Sequence, residues 1–77
     1  MQKVKRGIYQ HFKGRKYEVL GVAAHSETLE EFVVYKALYT SRKFGKNAMW
    51  IRPVGMFTEK VKVDGREVPR FKYLRRK

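Results

Sequence analysis

Glu31-Phe32-Val33-Val34-Tyr35-Lys36-Ala37-Leu38-Tyr39 decides the fold of this chain, because these residues fit two secondary structures that lead to different architectures. Thr28-Leu29-Glu30-Glu31 resembles a helix capping box, and Leu29, Phe32, Val33, Lys36 and Ala37 would stripe one face of a helix. Phe32-Val33-Val34-Tyr35 and Leu38-Tyr39 are instead β-branched or aromatic and suit a pleated surface. The expectation is a strand from Glu31 to Tyr39, with the helix open as the alternative.

Working upstream, Gly7 to Phe12 and Tyr17 to Ala23 flank Lys13-Gly14-Arg15-Lys16, which reads as a hairpin. With Gly14-Arg15 as a two-residue loop, Gly at the first central position suits a type II′ turn. That register sets Phe12 opposite Tyr17 and Gln10 opposite Val19 on one face, and His11 opposite Glu18 and Tyr9 opposite Leu20 on the other. Aromatic surface on both faces is what a small barrel needs.

Working downstream, the polar and basic Thr40 to Asn47 reads as an exposed loop and Ala48 to Arg52 as a short strand. Pro53 cannot continue a central strand, so Pro53 to Phe57 is expected to form a turn or one helical turn, with Met56 and Phe57 plugging the core. Lys60-Val61-Lys62-Val63, Asp64-Gly65 and Arg66-Glu67-Val68 form the clearest unit, a type I′ hairpin pairing Val61 with Val68 and Lys62 with Glu67. Pro69 marks an edge or bulge before a last strand from Arg70 to Leu74.

A chain of 77 residues holds one small domain with a thin core, and its apolar positions are spread along the whole length. The expected organisation is a basic N-terminal tail (1–6), a single domain (7–74) and a basic C-terminal tail (75–77). Cysteine is absent, so disulfides, thiol nucleophiles and cysteine-bearing zinc knuckles are excluded. No apolar run approaches the roughly 18 residues of a membrane-spanning helix, and no membrane insertion is expected. A cytoplasmic location is the simplest reading. Nineteen Lys and Arg against seven Asp and Glu give a formal net charge of +12, a field that attracts polyanions such as nucleic acid. The same charge also fits a generic cationic surface.

Several stretches in order carry a resemblance: Gly7-Ile8-Tyr9-Gln10-His11-Phe12-Lys13-Gly14, Tyr17-Glu18-Val19-Leu20, Ala24-His25-Ser26-Glu27-Thr28-Leu29-Glu30, Val34-Tyr35-Lys36-Ala37-Leu38-Tyr39, Trp50-Ile51-Arg52-Pro53, Met56-Phe57 and Pro69-Arg70-Phe71. On these the chain resembles the bacterial family called domain of unknown function 1653, from Gly7 to Tyr73. The resemblance implies a mostly β domain, an SH3-like barrel or roll of five to six antiparallel strands, in a bacterial cytoplasmic setting. It implies no particular activity.

Three constellations carry chemistry. His25-Ser26-Glu27-Thr28 offers a hydrolase reading, with His25 as base and Glu27 as its orienting group, but no glycine elbow or oxyanion hole accompanies it. The preferred reading is a connection whose Ser26 and Thr28 satisfy backbone groups. His11 and His25 with Glu18 or Glu27 lack the paired spacing of metal ligands, so neither metal nor cofactor is expected. Tyr9, Tyr35 and Trp50, joined by Arg52 and His11, form either plain core or an aromatic and cationic surface, with Met49 and Ile51 taking the inward positions beside Trp50 and Arg52. The leading expectation is a non-catalytic module for an anionic ligand such as RNA or single-stranded DNA, contacted by Lys13, Arg15, Arg42, Lys43, Lys46 and Arg52. The alternative is a peptide or protein partner on the Tyr9, Tyr35 and Trp50 surface; a small hydrolase comes third.

Overall fold

The computed structural model describes residues 4–77. The deciding segment is a strand: β3 runs Glu31–Ala37 and alternates half-buried positions with buried Val33, Tyr35 and Ala37. The other elements are β1 (Gly7–His11), β2 (Lys16–Ala24), β4 (Thr40–Ser41), β5 (Gly45–Lys46), β6 (Met49–Pro53), α1 (Val54–Phe57), β7 (Lys60–Val63), β8 (Arg66–Pro69) and β9 (Phe71–Arg75). All pairings are antiparallel. β6-β3-β2-β1-β9 form one curled sheet, while β4-β5 and β7-β8 are separate two-stranded ribbons. The large sheet keeps two edges, so the domain is an open roll and its strands do not close into a barrel.

The first hairpin differs from its expected register. Tyr9 pairs with Tyr17 and Gln10 with Lys16, three residues away from the II′ alignment. The His11 N–H donates to the Arg15 carbonyl (2.7 Å), and the Gly14 N–H to the His11 carbonyl (2.7 Å). Gly14 has φ +106. These features describe a three-residue loop, Phe12-Lys13-Gly14, in which a turn is followed by a positive-φ glycine. An odd shift in register exchanges faces. Tyr9, Tyr17 and Val19 therefore share the concave side instead of being divided.

A bulge at Leu20 keeps that phase along β2, where Val19 lies opposite Tyr35 and Val22 opposite Val33. On β6, Trp50 pairs with Tyr35 and Arg52 with Val33, so Trp50 and Arg52 face the concave side. Met49 and Ile51 lie on the convex side, 59% and 63% exposed, opposite to the expected inward placement. The hydrophobic pattern of Met49 to Arg52 is symmetric enough to fit either phase, and pairing with β3 selects this one.

The core is the concave face: Tyr9, Val19, Val33, Tyr35, Val54, Phe57 and Phe71, with Tyr17, Val22 and Trp50 packed against it. The expected helical turn after Pro53 forms and delivers Val54 and Phe57 to the core, but Met56 stays exposed. The β7-β8 hairpin has the expected register, Val61 with Val68 and Lys62 with Glu67, and Asp64 and Gly65 both take positive φ as a type I′ turn requires.

Residues 1–3 lie outside the described residues. The Lys5 carbonyl accepts a hydrogen bond from the Tyr9 hydroxyl (2.8 Å), Arg6 donates to the Leu20 carbonyl (2.7 Å), and β9 extends to Arg75. Gly7 (φ +147) sits where β1 meets β9, and a Cβ there would lie 2.6 Å from the Arg75 carbonyl oxygen.

Phe57→Ala removes one of the most deeply buried rings and is expected to cost about 3–5 kcal/mol. Against a total of roughly 4–12 kcal/mol for a domain of this length, that loss is about a quarter of the stability or more, and the midpoint of denaturant unfolding is expected to fall in proportion. Gly7→Ala forces backbone apart at β9, whereas Gly14→Ala meets no atom within 4 Å and is strained only by its φ. Thermal melts are expected to show Gly7→Ala as clearly the more damaging of the two.

Candidate functional site

Period-two alternation along β3 and beyond puts Tyr35, Ala37 and Tyr39 on the concave side, where β2 contributes Tyr17 and β6 contributes Trp50 and Arg52. Tyr17, Tyr35, Tyr39, Trp50 and Arg52 line a recess of about 200 Å³. The Tyr17 ring meets Tyr35 (5.4 Å between centroids) and Tyr39 (5.5 Å) edge to face. The Tyr17 and Tyr39 hydroxyls share a 2.6 Å hydrogen bond. Burial first, then that hydrogen bond and the nearby phenols, raise the Tyr17 pKa well above the ordinary phenol value, so its hydroxyl stays neutral. Arg52 Nε donates to the Tyr35 hydroxyl at 3.3 Å, and the guanidinium lies 5.7 Å from the Phe71 ring centroid.

The recess adjoins a larger cleft of about 490 Å³ that shares Tyr39 and Trp50 with it and adds Arg15, Arg42, Lys43 and Phe44. The β4-β5 ribbon builds this cleft, replacing the plain loop expected over Thr40 to Asn47. Ser41 Oγ accepts the Lys43 and Phe44 N–H groups (3.2 and 3.1 Å), which turns Phe44 back against Trp50 at 4.8 Å. The Asn47 side-chain amide donates to the Ala37 carbonyl (2.8 Å) and ties the ribbon to the sheet. Arg15 reaches over from the first hairpin and stacks 4.4 Å from the Tyr39 ring centroid.

The rim is electrostatically unbalanced. Among the described residues the ion pairs are Lys36–Glu18, Lys77–Glu18 and Arg70–Glu59, and none involves Arg15, Arg42, Lys43 or Arg52. The cleft thus combines aromatic walls with cations that no carboxylate neutralises among the described residues.

A family model described as Protein of unknown function (DUF1653) matches residues 7–73. The chain belongs to that family. The crystal structure of a DUF1653 protein from Bordetella bronchiseptica superposes with a TM-score of 0.86 at 36% sequence identity, covering 99% of this chain and 94% of the other. No curated protein matches the chain.

Of the residues singled out in the sequence, this DUF1653 domain brings together Arg15, Tyr35, Arg42, Lys43, Trp50 and Arg52. Lys46 lies on the neighbouring β5, and Lys13 at the tip of the first hairpin. Tyr35 and Trp50 meet at the recess, whereas Tyr9 packs edge-on to Phe57 and Tyr73 as core and does not join them. His25 and Glu27 lie at the opposite end of the sheet, in the β2–β3 connection. There His25 Nδ1 accepts the Glu27 and Thr28 N–H groups (3.1 and 3.3 Å), and Thr28 Oγ1 accepts the Glu30 N–H (3.2 Å). Among the described residues no cluster of three or more His, Cys, Asp or Glu suits a metal ion, and no helix is long and apolar enough to cross a membrane. Tyr17, Tyr39 and Phe44 were not among the residues expected at a site; the alternation Tyr35, Ala37, Tyr39 is the signal that marks the second of them.

The His11 ring packs against Phe12, Tyr17 and Phe71. Burial, then the charges of Arg52, Arg70 and Lys13, lower its pKa from 6.5. Its Nδ1 accepts the Lys13 N–H at 3.2 Å, a bond that protonation would remove. As pH falls through 6.5 the unfolded chain takes up this proton before the folded one, so the stability from neutral His11 is complete above that value and declines below it. Melting temperatures of the unaltered domain are expected to fall from neutral toward mildly acidic pH, and those of His11→Asn to fall less.

Proposed function

We propose that this domain is a non-catalytic binding module for an anionic ligand, single-stranded RNA or DNA, laid along the cleft between the first hairpin and the β4-β5 ribbon. The observation that supports it is the union, in one cleft, of the Tyr39, Phe44 and Trp50 rings with Arg15, Arg42 and Lys43, cations that have no carboxylate partner among the described residues. Aromatic faces stack bases without regard to sequence, and the cations follow the backbone. A cytoplasmic setting, where RNA is abundant, accompanies this reading. The peptide alternative keeps Tyr35 and Trp50 at the recess and loses Tyr9, which is core.

Fluorescence anisotropy with a labelled single-stranded oligonucleotide across a salt series tests the proposal. Affinity is expected to fall steeply with salt. Arg42→Ala and Lys43→Ala are each expected to make the log-log slope shallower by about 0.7, the share of one phosphate on a single strand. Binding indifferent to ionic strength, or none to any polyanion, rules the proposal out.

A further inference from the structure

We propose that the recess lined by Tyr17, Tyr35, Tyr39, Trp50 and Arg52 receives one unpaired base of the bound strand and that Arg52 gives it a preference for guanine. This rests on the nucleic-acid reading above and adds a specific subsite to it. Tyr39 and Trp50 wall both the recess and the basic cleft. A backbone held by Arg15, Arg42 and Lys43 therefore passes the mouth of the recess, where a base can turn in.

The walls suit a planar, uncharged group. Four aromatic rings line a space of about 200 Å³, and the hydroxyls of Tyr17 and Tyr39 satisfy one another at 2.6 Å. An aromatic enclosure can also hold an organic cation such as a methylated ammonium. Here that occupant is opposed by Arg52 in the wall, by Arg15 stacked on Tyr39 and by the +12 net charge of the chain. Charge thus selects a nucleotide over a quaternary ammonium.

Arg52 sets the edge that is read. Its Nε is committed to the Tyr35 hydroxyl, and among the described residues its terminal nitrogens have no hydrogen-bond partner and no carboxylate. A guanidinium only donates. Guanine presents two adjacent acceptors, O6 and N7, which match two parallel N–H groups, whereas adenine sets its N6 amino donor beside N7. Guanine gains a fork-shaped pair that adenine cannot form.

The test varies the base while holding the backbone constant, using a hexanucleotide of abasic sites carrying one internal guanine, one internal adenine, or no base. Trp50 is the sole tryptophan, so its fluorescence reports occupancy directly. The adenine strand is expected to bind about tenfold tighter than the abasic strand, from stacking alone, the guanine strand tighter still through the Arg52 fork, and both to quench Trp50. Tyr39→Ala is expected to remove that gain. Arg52→Lys, which keeps the charge and removes the planar fork, is expected to level guanine with adenine while preserving the salt slope. Equal affinity for guanine and abasic strands overturns the base-binding recess and leaves the anionic-ligand reading standing. Failure of every strand to bind overturns both.

Discussion

The face-to-face packing of Phe57 on Phe71, 4.2 Å between centroids and 5° from parallel, is the interaction on which the rest of the structure depends. Phe57 follows the strand at one edge of the five-stranded sheet, and Phe71 begins the strand at the other. Their stack joins the two edges across the concave face. In a closed barrel, backbone hydrogen bonds between first and last strands do this; here two rings do it, and the hydrogen-bonded edges remain open. Tyr9 and Tyr35 brace Phe57 from the middle strands, each edge-on at about the same separation (5.5 and 5.4 Å). Edge-to-face packing around a stacked pair satisfies the ring quadrupoles and fixes each ring's orientation.

That arrangement explains why the recess exists. The helical turn delivers a plug to one part of the concave face only, and no element delivers one beyond Tyr35. Tyr35 is held from behind by Phe57 and Phe71 while its other side meets Tyr17 and lines the open recess. The floor of the recess is thus part of the core, and its shape is set before anything enters. A ligand surface built this way avoids much of the ordering cost that a mobile surface would incur on binding.

Local sequence was informative where turn chemistry admits one solution. Asp64-Gly65 allowed one register, and Val61 met Val68 as alternation demanded. Gly14 allowed two, because a positive-φ glycine serves both a two-residue and a three-residue loop; the choice rests on where Tyr9 and Tyr17 must lie relative to Tyr35, which no short window contains. The same holds for Trp50 and Arg52, whose face is set by pairing with β3 and not by their own neighbours. The cations of the cleft were legible as composition, since Lys and Arg far outnumber the carboxylates that could pair them. Tyr39 could be placed on the face of Tyr35 by alternation, but its pairing with Tyr17 could not, because that hydrogen bond joins segments 22 residues apart.

Charge is handled differently on the two faces of the sheet. On the convex face Glu18, only 7% exposed, bridges Lys36 and Lys77 at 3.5 Å each, so a carboxylate stands where it neutralises cations beside the core. On the concave rim no acid performs that service among the described residues. Arg15 is instead accommodated by the face of Tyr39 and Arg52 by Phe71 and the Tyr35 hydroxyl, interactions that leave the full positive charge in place. Repulsion among such cations opposes compaction over distances of about a Debye length, roughly 8–10 Å in physiological salt. A polyanion in the cleft would relieve it and would stabilise the folded state by mass action as well. The aromatic face that holds the sheet together therefore also holds these charges apart from any internal partner, available to an external one.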